Sequence, residues 1–437
     1  MAFSVQKGSL MLRCTSLLLL APLFFVSCQG NGGSKSIADL TAVLTANPHG
    51  RLLSAKPIDE NTFVTLRGES GKGRRRLFVE SGNDVRALAD STPADAVLTS
   101  MSNVMEGRIV MASIVHVSKD EQDSHAETWW TAYDLKSGKA LFRKPCRWEG
   151  REPGVLSFLS SPLSVLLHAD GSFSALVAFR EGVKLQNYDA EGNFKSETAV
   201  VPSIAGSPRL LVPMRAGFLN FATGGNLLAV VPFYRAELDA IKRAGGFTPT
   251  EGEAMDEIIS VMTLNRDGKI LSSTALNLGK HSADLQSVSV RGNVVAVGGN
   301  FGRGTATAKG FVSVLTFNET FTDVARLESK TYRLTEAEDT VAGVAVTADG
   351  KVIVAGNGGL KQVKTHSVVA TGTAFLSVLD GSAKELGFQW LDLAQIEVMG
   401  TLVEANNGPF LIGHRNPPLT HGSGEGLTTT LFRVGLR

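Results

Sequence analysis

The stretch Val344-Ala-Val-Thr-Ala-Asp349-Gly350-Lys-Val-Ile-Val-Ala-Gly356-Asn-Gly358 decides the fold. Two short apolar runs flank the dipeptide Asp349-Gly350. That dipeptide is a strong signal for a tight β-hairpin, because a type I′ turn needs positive φ at both central residues. The stretch therefore predicts two antiparallel strands joined by a tight turn.

Similar hairpins recur along the chain. Seven turns, spaced 46 to 67 residues apart, are centred near Asn61, Gly107, Gly171, Gly225, Gly292, Gly350 and Gly408. Such a spacing is typical of a repeat architecture. A second hairpin, rich in β-branched and aromatic residues, follows most of them, as in Thr131-Ala-Tyr-Asp-Leu-Lys-Ser-Gly138. Each repeat is therefore predicted to contain four antiparallel strands.

Seven such repeats predict an all-β fold, a seven-bladed β-propeller with four-stranded antiparallel blades, since a closed ring leaves few free sheet edges. The last repeat has strands expected near 399–405, 409–414 and 427–433, and the chain then ends one strand short. We expect residues 37–44 to supply the missing strand. The propeller is thus predicted to close through its N-terminal strand.

Two segments resemble known propeller repeats. The segment Thr131–Phe142 resembles the outer-strand motif of pyrroloquinoline-quinone-type repeats, and Val344–Asp380 is similar to the hairpin repeats of bacterial secreted and cell-surface propellers. Each resemblance covers one blade. It implies the propeller fold, and a fold alone does not imply an activity.

The N-terminus has the features of a targeting segment. Lys7 and Arg13 precede the apolar run Leu17–Val26, which is too short to span a bilayer. The run ends in Phe25-Val26-Ser27-Cys28, which resembles a bacterial lipobox, although Phe25 replaces the usual Leu. The resemblance implies a lipid on Cys28; secretory cleavage without a lipid is the alternative.

Three segments follow from this interpretation. We expect a lipoprotein signal peptide at 1–27, a flexible tether at 28–36 and a single propeller domain at 37–437. The predicted location is the bacterial cell envelope, with the lipid in the outer membrane or at the cell surface. Cys146 would be the one unmodified cysteine of the mature chain, so no intramolecular disulfide can form. We expect Cys146 to be a small buried residue, and its role stays open.

Charge argues against a nucleic-acid partner. The formal net charge is +1, which gives no overall attraction for phosphate backbones. The run Arg74-Arg75-Arg76 could pair with phosphates or acidic sugars. Because no aromatic residues alternate with these arginines, a solvated strand edge is the preferred interpretation.

Long connections and histidines are expected on one face of the propeller. The connections lie near 117–128, 233–258, 300–310, 357–372 and 414–427. Variable loops on one face of a rigid scaffold often carry binding sites. The histidines expected at this putative binding face are His116, His125, His281, His366, His414 and His421. They show no metal-ligand spacing, so no metal site and no cofactor is predicted, and surface histidines without a joint role are the alternative.

The sequence favours a non-enzymatic binding scaffold for a protein, peptide or glycan. No nucleophile elbow, phosphate-binding loop, CxxC pair or dinucleotide fingerprint is present, so no catalytic residue is assigned. A propeller enzyme is the alternative, either a quinone-dependent dehydrogenase or a polysaccharide-cleaving enzyme. Catalytic groups of such enzymes come from different blades and leave no local motif.

Overall fold

The computed structural model describes residues 36–44, 50–68, 75–89, 96–117, 125–148, 160–179, 182–202, 216–234, 257–276, 283–301, 308–362, 370–393, 395–396, 402–403, 409–414 and 429–437. Apart from one short 3-10 turn at Thr223–Gly225, every regular element in these ranges is a β-strand. No helix in the described ranges is long and apolar enough to cross a bilayer.

The first described strand is β1 (Ala38–Leu44), and the first three blades follow it in the chain. Blade 1 contains β2 (Arg51–Pro57), β3 (Thr62–Gly68), β4 (Arg75–Ser81) and β5 (Asp84–Ala87). Blade 2 contains β6 (Ala96–Met101), β7 (Arg108–Val117), β8 (His125–Asp134) and β9 (Ala140–Pro145). Blade 3 contains β10 (Ser161–Leu167), β11 (Phe173–Phe179), β12 (Gly182–Tyr188) and β13 (Phe194–Pro202).

The remaining strands form four further blades. Blade 4 contains β14 (Phe218–Phe221), β15 (Leu227–Tyr234), β16 (Glu257–Leu264) and β17 (Ile270–Leu276). Blade 5 contains β18 (Ala283–Arg291), β19 (Val294–Phe301), β20 (Lys309–Phe317) and β21 (Val324–Tyr332). Blade 6 contains β22 (Glu338–Val346), β23 (Val352–Gln362), β24 (Ala370–Leu379) and β25 (Glu385–Trp390). Blade 7 contains β26 (Gln395–Ile396), β27 (Leu402–Val403), β28 (Phe410–His414), β29 (Thr429–Leu436) and β1.

Strand pairing confirms the predicted propeller. In blades 1 to 6 the four strands are antiparallel neighbours in chain order. In blade 7 the order is β1, β29 and β28, with both β26 and β27 paired to β28. The register between β1 and β29 runs from Ala38 opposite Leu436 to Leu44 opposite Leu431. The N-terminal strand therefore closes the ring as expected, within one residue of the predicted start.

The core consists of apolar clusters between neighbouring blades. The described residues form seven such clusters, one for each adjacent pair of blades around the ring. Second strands contribute to two clusters each: Val295 and Val297 pack toward blade 4, while Ala296 packs toward blade 6. Burial on both faces explains why β19 has a continuous apolar run rather than an alternating pattern.

Alternating strand direction gives the ring two different faces. Connections after the first and third strands lie at one face, the turn face, and those between described strands there span two to six residues. Second and fourth strands end at the opposite face, the looped face, from which the remaining connections start. The longest are residues 146–160, 203–217, 235–256 and 415–428. First strands of successive blades contact one another from blade 2 through blade 7 to blade 1, so they are the innermost strands.

The hairpin at Asp349-Gly350 forms, but its turn is not the predicted type I′. The Thr347 amide donates to the Lys351 carbonyl at 2.8 Å, and the Gly350 amide donates to the Thr347 carbonyl at 3.1 Å. Within the turn, positive φ occurs at Gly350 alone, at 75°. The Thr347 hydroxyl donates to Asp349 Oδ1 at 2.6 Å and accepts from the Lys351 amide at 3.0 Å, which stabilises this longer turn.

Candidate functional site

The looped face carries three of the predicted histidines at strand ends. Exposed His116 is near the end of β7, His125 begins β8, and His414 ends β28. The first two are on neighbouring strands of blade 2, whereas His414 is two blades away, in blade 7. The other three, His281, His366 and His421, lie outside the described residues. The assignment of these six histidines to a binding face stays a prediction.

A glycine-polar pair repeats in the second strands of the last three blades. Gly299-Asn300, Gly356-Asn357 and Gly413-His414 follow one another at intervals of 57 residues. The Asn300 side chain accepts a hydrogen bond from the Val341 amide of the next blade at 2.8 Å. His414 is thus the blade 7 equivalent of Asn300, whose side chain connects blade 5 to blade 6. This repeat is a sequence signal that the turn spacing alone does not reveal.

A charged pair lies buried at the looped face between blades 5 and 6. Lys309 begins β20 and Asp339 is the second residue of β22; their side chains are 12% and 0% exposed. Lys309 Nζ is 3.1 Å from Asp339 Oδ2 and also donates to the carbonyls of Thr335 and Ala337, at 3.0 and 2.7 Å. The ammonium group is therefore fixed by three acceptors.

Asp339 is the centre of this network. Its Oδ2 accepts from the amides of Leu334 and Thr335 at 2.8 and 3.1 Å. Its Oδ1 accepts from the Thr335 hydroxyl at 2.7 Å and the Gly359 amide at 3.2 Å. Burial raises the pKa of the carboxyl, but the hydrogen bonds from Thr335 and Lys309 outweigh burial, and the pKa lies below its ordinary value. Asp339 is thus an ionised anchor for the looped-face ends of β22 and β23.

Trp390 lies beside this network, at the looped-face end of β25. Its side chain is 44% exposed, and its ring packs edge-on against Phe388 and Phe375, with centroids 5.2 and 6.1 Å apart. A Cβ at Gly358 would lie 2.7 Å from the indole, so the glycine makes room for the ring. We call Lys309, Thr335, Asp339, Gly359 and Trp390 the 5–6 mouth. A fixed, half-exposed aromatic ring is a common anchor in binding surfaces.

A second buried ion pair lies along the sheet of blade 1, between Arg67 near the looped-face end of β3 and Glu80 near the turn-face end of β4. The Arg67 and Glu80 side chains are 1% and 2% exposed, and the guanidinium contacts both carboxylate oxygens at 2.6 and 2.7 Å. Arg67 also donates to the Gly50 carbonyl at 3.0 Å. The neighbouring Arg75 donates to the Leu98 carbonyl of blade 2 at 2.8 Å, and burial lowers its pKa. Arg75 is therefore built into the blade contact rather than into the expected solvated edge, and Arg74 lies outside the described residues.

The one cysteine in the described ranges is buried in a contact between blades. Cys146 is 1% exposed, and its thiol donates to the Gln186 side-chain oxygen across 3.0 Å, so it belongs to the contact between blades 2 and 3. In the described ranges, no three His, Cys, Asp or Glu side chains come close enough together to hold a metal ion. In the 5–6 mouth, the exposed Trp390 ring can hold a ligand by stacking, while the Lys309 and Asp339 side chains support the backbone around it.

No protein-family model matches the chain, and no curated protein matches its sequence. Among solved structures, an ulvan lyase of a new polysaccharide lyase family, bound to -[GlcA(1-4)Rha3S]-, has a TM-score of 0.51 and 10% identity over 91% of this chain and 96% of that chain. A second structure of ulvan lyase has a TM-score of 0.50 and 9% identity over 92% and 96%. YCF48 from Cyanidioschyzon merolae has a TM-score of 0.47 and 12% identity over 91% and 99%.

At these identities the two lyase structures support the propeller fold and nothing finer. The expected pyrroloquinoline-quinone-type repeat at Thr131–Phe142 stays a prediction. The two lyase likenesses reach across most of the chain, whereas each sequence resemblance covers a single blade. The chain is a seven-bladed β-propeller closed by its N-terminal strand.

Proposed function

We propose that the protein is a lipid-anchored propeller of the bacterial cell envelope that binds a protein, peptide or glycan through its looped face, without catalysis. One observation carries the proposal: β1 begins at the turn face, while the strand ends that the longest connections join are at the looped face. An anchor that precedes β1 leaves the looped face free for a partner. Variable connections on a rigid frame are suited to binding.

The leader sequence supports the anchor. The apolar run 17–26 ends at the lipobox-like Ser27-Cys28, and residues 29–36 connect it to the first strand. A signal peptide at 1–27 and a tether at 28–36 remain the proposed boundaries. Lipid attached at Cys28 would hold the propeller at the envelope.

The 5–6 mouth is the best-defined part of the looped face for ligand contact. Trp390 offers a fixed ring, and the buried Lys309–Asp339 pair holds the backbone around it in one conformation. A preorganised site loses little conformational entropy when a ligand binds. The mouth therefore combines a stacking surface with a rigid support.

The anchor is tested by lipid labelling in bacterial cells. Radiolabelled palmitate should enter the wild-type protein and the Cys14→Ala variant, and it should not enter Cys28→Ala. Cys14 is a matched control because both residues lie in the leader. Label in the Cys28→Ala protein, or none in the wild type, would refute the lipid anchor.

Binding is tested by site-specific photo-crosslinking in intact cells. A photoreactive aromatic residue is placed at Trp390 or His116 on the looped face, and at Leu141 or Leu271 near the turn face. These four side chains are all exposed, so each substitution should be tolerated. We expect adducts with protein or glycan from the first pair only. Equal adducts from both pairs, or none from Trp390 and His116, would contradict binding at the looped face.

The alternative function is a propeller enzyme. The chain shares only its fold with the ulvan lyases. A common fold does not transfer an activity, because function depends on the groups at the site. In the described ranges, the charged groups at the 5–6 mouth are engaged with one another and with backbone groups. Such a saturated network fits a supporting role better than proton transfer.

A further inference from the structure

Exposed apolar side chains surround the point where the described chain begins. Leu386 is 53% exposed and Leu436 is 38% exposed, and Ile37 is half-buried beside them. We call these three residues the exit patch. The patch lies on blades 6 and 7, close to the turn face.

Pairing and packing bring the three residues together. Leu436 lies opposite Ala38 in the register of β29 and β1, and the Arg437 amide donates to the Ile37 carbonyl at 3.0 Å. Ile37 packs over β25, where a Cβ at Gly387 would lie 2.6 Å from Ile37 Cγ2. Leu386 immediately precedes Gly387 and is the extra residue of a β-bulge, so it is the chain neighbour of the residue over which Ile37 packs.

The start of the described chain is fixed on the ring. The Gln389 side-chain oxygen accepts hydrogen bonds from the Ile37 amide at 3.0 Å, the Ala38 amide at 3.2 Å and the Ser36 hydroxyl at 3.1 Å. From Ser36, eight Cα-to-Cα steps lead back to Cys28. A fully extended chain of that length spans roughly 28 Å. A lipid on Cys28 would therefore keep Ser36 within this distance of the bilayer surface.

We propose that the exit patch docks on the membrane surface that holds the lipid of Cys28. The inference rests on the proposed lipid anchor. Docking is then an intramolecular step at high effective concentration, so a small apolar area is sufficient to orient the protein. Near the patch, charges of both signs occur, Arg437 paired with Asp39 and Lys330 paired with Glu385. The apolar side chains, rather than net charge, therefore make the contact, and the looped face points away from the bilayer.

Two leucines outside the exit patch have similar exposure and serve as matched controls. Leu141 and Leu271 are 47% and 39% exposed and occupy the same bulge position on the outer strands of blades 2 and 4. Each of them is at least two blades away from blades 6 and 7, where the chain leaves the ring. A membrane contact set by the short connection to Cys28 should involve Leu386 and Leu436 but not these two.

The test uses the lipidated full-length protein in vesicles of phosphatidylethanolamine and phosphatidylglycerol. Single Leu386→Cys, Leu436→Cys, Leu141→Cys and Leu271→Cys variants are labelled with an environment-sensitive fluorophore. Native Cys146 is buried, and Cys28 is blocked by the lipid. Emission at positions 386 and 436 should shift to shorter wavelength and be quenched several-fold more by spin-labelled lipids than emission at 141 and 271.

Each outcome decides the proposal. Water-like emission at 386 and 436 in vesicle-bound protein would overturn docking and leave the lipid anchor intact. Equal shifts at all four positions would overturn the assignment to the exit patch, because the whole turn face would then lie on the membrane. Protein that carries no lipid and stays off the vesicles would overturn both this inference and the proposed anchor.

Discussion

Arg437 forms a two-point ion pair with Asp39, a residue 398 positions earlier in the chain. The guanidinium Nε is 2.7 Å from Oδ2, and Nη2 is 2.5 Å from Oδ1. Both side chains are more than half exposed, at 56% and 57%, so water and salt screen the pair. Ring closure therefore depends mainly on the β1–β29 ladder and on buried residues such as Leu44.

The register of the closing strand predicts a disulfide. Asp39 lies directly opposite Gly435, and a side chain at Gly435 meets no close neighbour. The double variant Asp39→Cys and Gly435→Cys should form an intramolecular disulfide in an oxidising buffer, since opposite residues of antiparallel strands have suitable spacing. The bond would close almost the whole chain into one loop and, in the chain-entropy model, would stabilise the fold by about 6 kcal/mol. Calorimetry with and without reductant measures the effect.

A register-shifted variant serves as the control. Thr41 is exposed on the same side of β1 as Asp39 but lies opposite Arg433, two positions from Gly435. The pair Thr41→Cys and Gly435→Cys should cross-link much less under the same conditions. Equal cross-linking of both pairs on a non-reducing gel would show that β1 does not hold this register.

Much of the fold follows from local chemistry in the sequence. Turn signals such as Gly171 and Gly292 take positive φ, at 80° and 58°, and each joins the first two strands of a blade. Spacing between the turns indicates the repeat, and the missing strand of the last repeat indicates the closure. Ala383 shows a limit: it takes φ 57° because Asp380 Oδ1 holds the amides of Ser382 and Lys384, so a non-glycine residue occupies the left-handed position.

The 5–6 mouth could not be predicted from the sequence. Lys309 and Asp339 are 30 residues apart and belong to different blades, and Trp390 meets Gly358 across a blade. Neither pair has a spacing rule, because the first contact depends on how one sheet packs against the next and the second on how the indole reaches over β24 within blade 6. The histidines at the looped face were predicted from strand ends alone, which locates residues on a face but does not show whether their side chains meet.

Removal of the buried carboxylate charge should destabilise the ring. In Asp339→Asn, Lys309 loses its ionic partner while its ammonium group remains largely buried. Breaking one side of a buried ion pair typically costs several kcal/mol, and we expect a loss of about 3 kcal/mol in the free energy of unfolding. Glu328→Gln removes one partner of an exposed pair with Arg326 and should change it by less than about 0.5 kcal/mol. Chemical denaturation compares the two, and equal losses would contradict the structural role of Asp339.

His168 should make stability sensitive to mild acid. The ring is 4% exposed, Nε2 is 2.8 Å from the Ser174 hydroxyl, and the ring packs on Phe221. Burial lowers the pKa of His168, the charge of Arg266 lowers it further, and Asp170 partly opposes this. The unfolded chain, with the ordinary pKa near 6.5, thus takes up a proton first.

The contribution of neutral, buried His168 to the free energy of unfolding is therefore fully present above about pH 6.5. It is lost as the pH falls toward the lower folded-state pKa. Between about pH 7.5 and pH 5.5, the wild type should lose more unfolding free energy than His168→Asn, which cannot be protonated in this range. Urea unfolding at several pH values measures both slopes. Parallel curves for the two proteins would exclude this residue as the source of the pH dependence.

Gly356 should not tolerate a side chain, although its backbone is not left-handed. It lies in the middle of β23, and a Cβ there would overlap the Thr340 carbonyl oxygen of β22 and the Phe375 ring of β24. Neither the backbone nor a fully buried ring can move freely, so Gly356→Ala should lower the free energy of unfolding by about 2 kcal/mol or more.

Gly381→Ala is the matched control, because a Cβ at Gly381 meets nothing within 4 Å. We expect it to be neutral or slightly stabilising, since alanine restricts the unfolded chain. Thermal unfolding of both variants tests the packing of blade 6, and similar melting temperatures for the two would mean that β22 and β24 do not approach Gly356 this closely.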